Sequence, residues 1–155
     1  MISIAHIHPM LVHFPIVFFL SLAVLDVIAT LRGVAVTGRG GIGNVSTGLA
    51  LLAGVFAIAT YIFGDMALDF AEAGGFHSEV AEIQEGLGEA TAAAFAFWAV
   101  VRVVAWWRNA RLRGGGAILL SLVELAGAGI VVATAYFGGQ LVYDLGVNVA
   151  QASAG

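Results

Sequence analysis

The sequence contains no cysteine among its 155 residues. This absence excludes disulfides, thiolate metal sites, c-type haem attachment and cysteine-ligated iron–sulfur clusters, and it carries no information about compartment. Charge is also scarce, because 10% of the residues are charged, whereas soluble domains carry about a quarter. With 61% hydrophobic residues, the composition is that of an integral membrane protein. The small net charge of −4 and the lack of a basic cluster argue against nucleic-acid binding.

Motifs of hydrolases and nucleotide-dependent enzymes are missing as well. HExxH and GxSxG do not occur, and no ExxH pair lies in an apolar run. The segment GIGN is too short and in the wrong setting for a phosphate-binding loop. These absences favour an electron carrier or an accessory subunit over a stand-alone enzyme.

Four apolar stretches are long enough to cross a bilayer as helices of about 20 residues. They comprise residues 10–30, 45–64, 90–107 and 117–137. A helix satisfies its backbone hydrogen bonds internally, as the bilayer core requires. The sequence therefore predicts an all-α fold: an integral membrane four-helix bundle that forms a single domain over residues 1–155.

The charges outside these spans predict the orientation. All arginines outside the spans lie in the connector after the first span or in the connector before the fourth, and neither connector contains an acid. The acids outside the spans lie in the remaining segments. The positive-inside rule therefore predicts a multi-pass protein of the bacterial inner membrane with both termini periplasmic. A cleaved signal peptide is not expected, because no Lys or Arg precedes the first apolar run.

All four histidines fall on the predicted outer side. His6 and His8 precede the first span, His13 lies one turn inside it, and His77 lies in the outer loop. Imidazole is the commonest side-chain ligand of transition metals and haem iron, so these four are the predicted metal or cofactor ligands. The structural alternative is that Pro9 occupies the first helical position and that the histidines hydrogen-bond loop carbonyls.

The spacing within HPMLVHFP limits how the first pair can act. His8 and His13 are separated by about 140° around an ideal helix. They converge on one ion only if the segment before Pro9 is not helical; otherwise each serves a different site or contacts a different neighbour. Pro15 cannot donate a hydrogen bond to the carbonyl of Leu11, which predicts a bend in the helix at that point.

Three charged residues fall inside the predicted spans: Asp26, Arg102 and Glu124. At 1.5 Å per residue they lie at similar depth, ~6–10 Å below the cytoplasmic surface. Unpaired charges there cost on the order of several kcal/mol, so we expect the three to form a structural ion cluster. A proton or ion path is the alternative. It is disfavoured because few hydroxyl groups lie between this cluster and the histidines.

Two motifs resemble a bacterial family of predicted membrane proteins, domain of unknown function 2231. HPMLVHFPI at 8–16 is similar to the family's opening HPxLVHFPI, and FGGQLVYDLGVNV at 137–149 to its closing GGxLVYxxGVxV. Both motifs lie at the predicted outer face, so we expect them to meet there. The matching positions are His8, Pro9, His13, Pro15, Gly138, Gly139, Leu141, Val142, Tyr143 and Gly146.

The resemblance also implies that this chain lacks one histidine of the family and that its relatives occur with redox domains. Family members commonly carry a further histidine near the start of the third span, where this chain has Gln84 or Glu85. A site built on that histidine would need His77 or a carboxylate as a substitute. Some relatives are joined to Rieske or c-type cytochrome domains, which implies redox partners at the outer face.

These observations lead to one main hypothesis and two alternatives. The main hypothesis is an inner-membrane redox protein that binds haem b or a transition metal near the periplasmic face through His8 and His13, with His77 and Tyr143 as further candidates. An acidic outer face would suit a basic partner such as cytochrome c. The first alternative is a cofactor-free accessory subunit of a larger membrane complex or homo-oligomer. The second is a metal or proton conductor.

Overall fold

The computed structural model describes the backbone of residues 4–147 and the side chains of residues 7–147. In this part of the chain every regular element is a helix, and the predicted all-α fold is confirmed. The helices are α1 (Ile4–Leu11), α2 (His13–Leu31), α3 (Gly41–Ala73), α4 (Glu79–Trp107) and α5 (Gly115–Tyr143). Four segments are long and apolar enough to cross a membrane: Ile7–Leu31, Gly41–Ala73, Glu79–Trp107 and Gly115–Tyr143.

The first span is one helical segment interrupted at Val12. The helix ends at Leu11 and restarts at His13, because Pro15 has no N–H to donate to the carbonyl of Leu11. The interruption lies at the place where the bend was predicted, while Val12 itself keeps right-handed helical dihedral angles (φ −55°, ψ −30°); the bend stays a prediction. The expectation that Pro9 starts the helix is wrong, since α1 begins at Ile4 and Pro9 lies inside it.

The other three helices extend well past the apolar stretches that predicted them. The predicted second span stops at 64, but α3 continues to Ala73; the predicted third span starts at 90, but α4 begins at Glu79. These polar extensions are rich in Ala, Glu and Leu, which are good helix formers. Hydropathy detects the membrane-facing part of a helix and does not detect its continuation into water.

Local signals set the ends of these extensions. Ser78 caps α4 by accepting a hydrogen bond from the Val80 amide at 3.2 Å, and Glu79 and Glu82 lie in the first turn, where the helix dipole favours acids. Gly75 follows α3 with a φ of 89°, a left-handed conformation that glycine adopts without strain.

The four long helices form a closed bundle in which each helix packs against two of the others. α2 packs against α3 and α5, α4 packs against α3 and α5, and α1 packs mainly on α3. Large apolar side chains such as Leu119 (65% exposed) and Phe97 (68% exposed) cover the outer surface of the bundle. A surface of this kind is suited to contact with lipid rather than with water.

The two ends of the bundle differ in charge. The histidine end contains α1, the loop between α3 and α4, and the C-terminal part of α5. The arginine end contains the connectors 32–40 and 108–114. These connectors are joined by hydrogen bonds from the Arg39 amide to Asn109 Oδ1 at 2.8 Å and from the Val36 amide to the carbonyl of Leu112 at 3.2 Å.

Candidate functional site

A cavity of about 480 Å³ lies among the helices at the histidine end. All four spans contribute to its wall, and the polar extensions of α3 and α4 form much of it. Phe95 and Val131, which belong to the buried apolar core, lie at its deeper side. A mostly apolar cavity with a few polar groups is the usual form of a small-molecule or cofactor site.

Both sequence motifs line this histidine-end cavity, so the expectation that they meet is confirmed. The closing motif lies on the C-terminal turns of α5 and the residues that follow. The opening motif lies on α1 and the start of α2. The family-matching positions that line the wall are His8, Pro9, His13, Pro15, Gly138, Gly139, Leu141, Val142 and Tyr143.

His8 is the best-defined polar group of the cavity. Its Nδ1 lies 2.9 Å from the backbone carbonyl oxygen of Thr60. A carbonyl can only accept a hydrogen bond, so Nδ1 is the donor, and in this tautomer the free electron pair of the imidazole lies on Nε2. The ring packs against Gly64, where a Cβ atom would lie 2.8 Å from Nδ1. Gly64 is therefore required for this position of the imidazole.

Thr60 also brings an unpartnered hydroxyl to the cavity wall. The side chain is 7% exposed, and its Oγ1 has no hydrogen-bond partner among the described residues. Thr91 and Thr134, which line the same cavity, instead donate to the helix carbonyls of Leu87 and Ile130. A buried hydroxyl without a partner is uncommon and indicates a donor available to a bound molecule.

The N-terminal part of α4 also contributes polar side chains to this cavity. Gln84 and Glu85 both line it. The amide of Gln84 approaches Gly138, where a Cβ atom would lie 3.8 Å from Nε2. Asp65 adds a second carboxylate to the lining. Gln84 and Glu85, at the place where the resemblance implied a histidine, therefore present an amide and a carboxylate to the cavity.

The remaining predicted ligands differ in their positions. His13 lines the cavity and is exposed. Tyr143 lies at its edge and is 87% exposed. His77 is exposed on the loop between α3 and α4 and is absent from the cavity wall. His6 belongs to α1, but its side chain lies outside the described part of the chain.

The segment before Pro9 is helical, so the condition for His8 and His13 to converge on one ion is not met. His8 contacts the Thr60 carbonyl instead, which agrees with the expectation that each histidine serves a different site or contacts a different neighbour. Within residues 7–147 there is no group of three or more His, Asp or Glu side chains placed to hold a metal ion.

The structure brings the three intramembrane charges together. Arg102 Nη1 donates to Asp26 Oδ2 at 2.7 Å and to Glu124 Oε1 at 3.3 Å, and all three side chains have no exposed surface. Arg102 Nη2 donates to the backbone carbonyl of Val36 at 2.7 Å. Ser46 donates to Asp26 Oδ1, and Trp98 completes the cluster by donating to Glu124 Oε1 at 3.1 Å.

An apolar layer separates this ion cluster from the histidine-end cavity. It lies between the two along every span and consists of Phe19, Leu22, Ala50, Ala53, Ala57, Ala92, Phe95 and Val131. The rings of Phe19 and Phe95 stack at its centre with a centroid distance of 3.8 Å. The ion cluster is therefore a separate structural feature and does not extend the cavity.

Two of the groups that define the cavity were not assigned to it from sequence. The Thr60 carbonyl that orients His8 belongs to the backbone, and no pattern marks one carbonyl among many. Gly64 could have been suspected, because it is a glycine inside an apolar helix and such a residue often marks a close approach.

Comparisons with known proteins support the sequence resemblance. The model of a family described as "Predicted membrane protein (DUF2231)" matches residues 5–151 of the chain. No curated protein and no solved structure matches the chain.

Proposed function

Because the chain belongs to the DUF2231 family of predicted membrane proteins, whose two motifs meet at the histidine-end cavity, we propose that this cavity binds b-type haem for electron transfer. The observation that carries the proposal is the hydrogen bond from His8 Nδ1 to the Thr60 carbonyl. Ligating histidines typically donate their second ring nitrogen to a carbonyl or carboxylate, which fixes the tautomer and orients the ring.

The number of available ligands favours haem over a metal ion held by side chains alone. The described residues offer no group of three His, Asp or Glu side chains for such an ion. Haem brings four nitrogen ligands of its own and needs one or two from the protein. His8 would supply this ligand through Nε2, and one protein ligand is enough; His13 lines the same cavity but does not converge with His8 on one ion.

The lining also suits a flat, mostly apolar group with polar substituents. Gly88, Gly138 and Gly139 present backbone without side chains to the cavity, so a planar ring could approach closely. The Thr60 hydroxyl and the Gln84 amide offer hydrogen-bond donors for carboxylate substituents. When bound, haem would supply one-electron exchange. The protein would orient the ligand imidazole and set the polarity around it.

The charges around the cavity suggest which partner exchanges the electron. The described acids outside the ion cluster lie at the histidine end of the bundle. The arginines outside the ion cluster lie at the opposite end: Arg32, Arg39, Arg108, Arg111 and Arg113. We expect a basic periplasmic redox protein such as a cytochrome c to dock at this acidic end, by complementary potential.

The same asymmetry supports our proposal that the bundle lies in the bacterial inner membrane with the arginine end in the cytoplasm and both termini in the periplasm. The chain has no cysteine, so single substitutions His77→Cys and Arg111→Cys give clean reporters. We expect an impermeant thiol reagent added to intact spheroplasts to label position 77 and not position 111. Labelling of 111 with protection of 77 would reverse the orientation.

Haem binding has a direct spectroscopic test. Protein purified in mild detergent is expected to show a Soret band that shifts on reduction with dithionite. His8→Ala should lose most of the bound haem, because the ligand nitrogen is removed. His77→Ala should keep it and serves as the matched control, since that imidazole is exposed and lies outside the cavity wall.

Two outcomes would contradict the proposal. A folded, helical wild-type preparation that is colourless and takes up no added haem would exclude haem binding and favour the cofactor-free accessory subunit. A His8→Ala variant with an unchanged spectrum would exclude His8 as a ligand. The helix content and unfolding temperature of each variant distinguish lost ligation from lost folding.

A further inference from the structure

A second cavity, of about 530 Å³, lies at the arginine end of the bundle, away from the proposed haem site. Its wall includes Arg111 and Arg113 from one connector, Gly40 and Gly41 at the start of α3, and apolar side chains of the spans. We propose that this arginine-end cavity binds the phosphate headgroup of an anionic phospholipid.

The positive charge of the arginine-end cavity is not neutralised by any acid among the described residues that line it. Arg111 and Arg113 make no ion pair among the described residues, where both ion pairs belong to Arg102. Arg39, by comparison, is engaged, because it donates to the Trp107 carbonyl at 2.8 Å and lies 5.3 Å from the ring centroid of Trp106. No acid lines this cavity. Guanidinium groups with free donors recognise phosphate through charge-assisted hydrogen bonds.

The backbone at the start of α3 adds to the positive electrostatic potential of this cavity. Gly40, the residue before α3, has no side chain that could cap the helix, and the first-turn residues 41–43 line the cavity. First-turn amides have no acceptor within the helix, and the helix dipole there favours an anion. This end of α3 supplements the two guanidinium groups.

The apolar part of the wall distinguishes a phospholipid from a free anion. Val34 and Val45 line the cavity and are 39% and 55% exposed on the surface of the bundle. Leu25 of α2 continues the apolar wall toward the middle of the span. A phospholipid whose phosphate lies between the arginines would therefore place its acyl chains along these exposed apolar residues. Basic pockets between membrane helices are known to hold anionic headgroups in this way.

Thermal unfolding in detergent tests the proposal. Phosphatidylglycerol is expected to raise the unfolding temperature of the wild-type protein more than phosphatidylcholine does. The double variant Arg111→Gln/Arg113→Gln should lose most of this difference. Its matched control is Arg32→Gln/Arg108→Gln, which removes the same charge from exposed residues at the same end that do not line the cavity.

Each outcome decides the question. Loss of the phosphatidylglycerol effect in the first double variant and its retention in the control would support the headgroup site. Equal loss in both variants would indicate a general effect of charge and would overturn it. Equal stabilisation by inorganic phosphate would show an anion site without lipid specificity and would overturn the assignment to phospholipid. No difference between the two lipids would also overturn it.

Discussion

The substitution Arg102→Met is expected to lower the free energy of unfolding by about 3–5 kcal/mol. Arg102 is the only cation that contacts Asp26 and Glu124 among the described residues, and all three side chains are fully buried. Without the guanidinium, two carboxyl groups remain in a low-dielectric interior with Ser46 and Trp98 as donors. The measurement is equilibrium unfolding in mixed detergent micelles, followed by helix content.

The effect extends beyond the two acids. Arg102 Nη2 also holds the carbonyl of Val36, which belongs to the connector between α2 and α3. Val36 has no exposed surface, so its carbonyl would lose a donor that water cannot readily replace. We therefore expect the substitution to loosen this connector as well as the contact between α2, α4 and α5.

A matched pair of variants separates charge pairing from loss of bulk. Arg32→Met makes the same change at an exposed position and should alter stability by about 0.5 kcal/mol or less. The triple variant Asp26→Asn/Arg102→Met/Glu124→Gln removes every charge of the cluster and should recover much of the lost stability, because no unpaired buried charge remains. A triple variant as unstable as Arg102→Met would contradict this account.

Gly43→Ala is expected to give the second large effect. Gly43 lies in the first turn of α3 and is buried against the connector. A Cβ atom there would overlap the Gly38 carbonyl oxygen and lie 2.8 Å from the Thr37 carbonyl carbon. Both obstacles are backbone, so no side-chain rotation relieves them. Overpacking of this kind costs about 1–3 kcal/mol, and occasionally more.

The obstructing backbone is itself held in place. The Thr37 hydroxyl donates to the carbonyl of Ala110 and accepts from the Leu112 amide at 3.0 Å. Moving residues 37 and 38 would therefore strain the join between the two connectors. It would also disturb the neighbouring Val36 carbonyl that binds Arg102. We expect the effects of Gly43→Ala and Arg102→Met to be non-additive, because they share this segment.

Gly48→Ala is the control for helix propensity. Gly48 lies in the same helix, and a Cβ atom at this position would have no neighbouring atom within 4 Å. Alanine should therefore stabilise the helix here by up to about 1 kcal/mol. Unfolding of the two variants by detergent titration checks the difference. Equal stability of Gly43→Ala and Gly48→Ala would show that the connector moves freely, contrary to the packing described.

The position of the candidate site could be predicted from sequence better than its contents. The motifs at 8–16 and 137–149 indicated one shared outer face, and both line the cavity. The residues that could serve as ligands were harder to predict from the sequence. His77 follows the helical extension that ends at Ala73, and this extension leaves its side chain exposed on a loop outside the cavity wall. Hydropathy contains no information on helix length beyond the bilayer core.

The sequence by itself determined the four apolar spans and the end of the bundle at which each charge and histidine lies. These follow from composition along the chain, because a bilayer selects long apolar helices and loops carry the remaining charges. Only the tertiary structure decided that His8 donates to Thr60, that Arg102 also binds Val36, and that both cavities exist. Such contacts depend on helix rotation and close packing between distant segments, which no local pattern specifies.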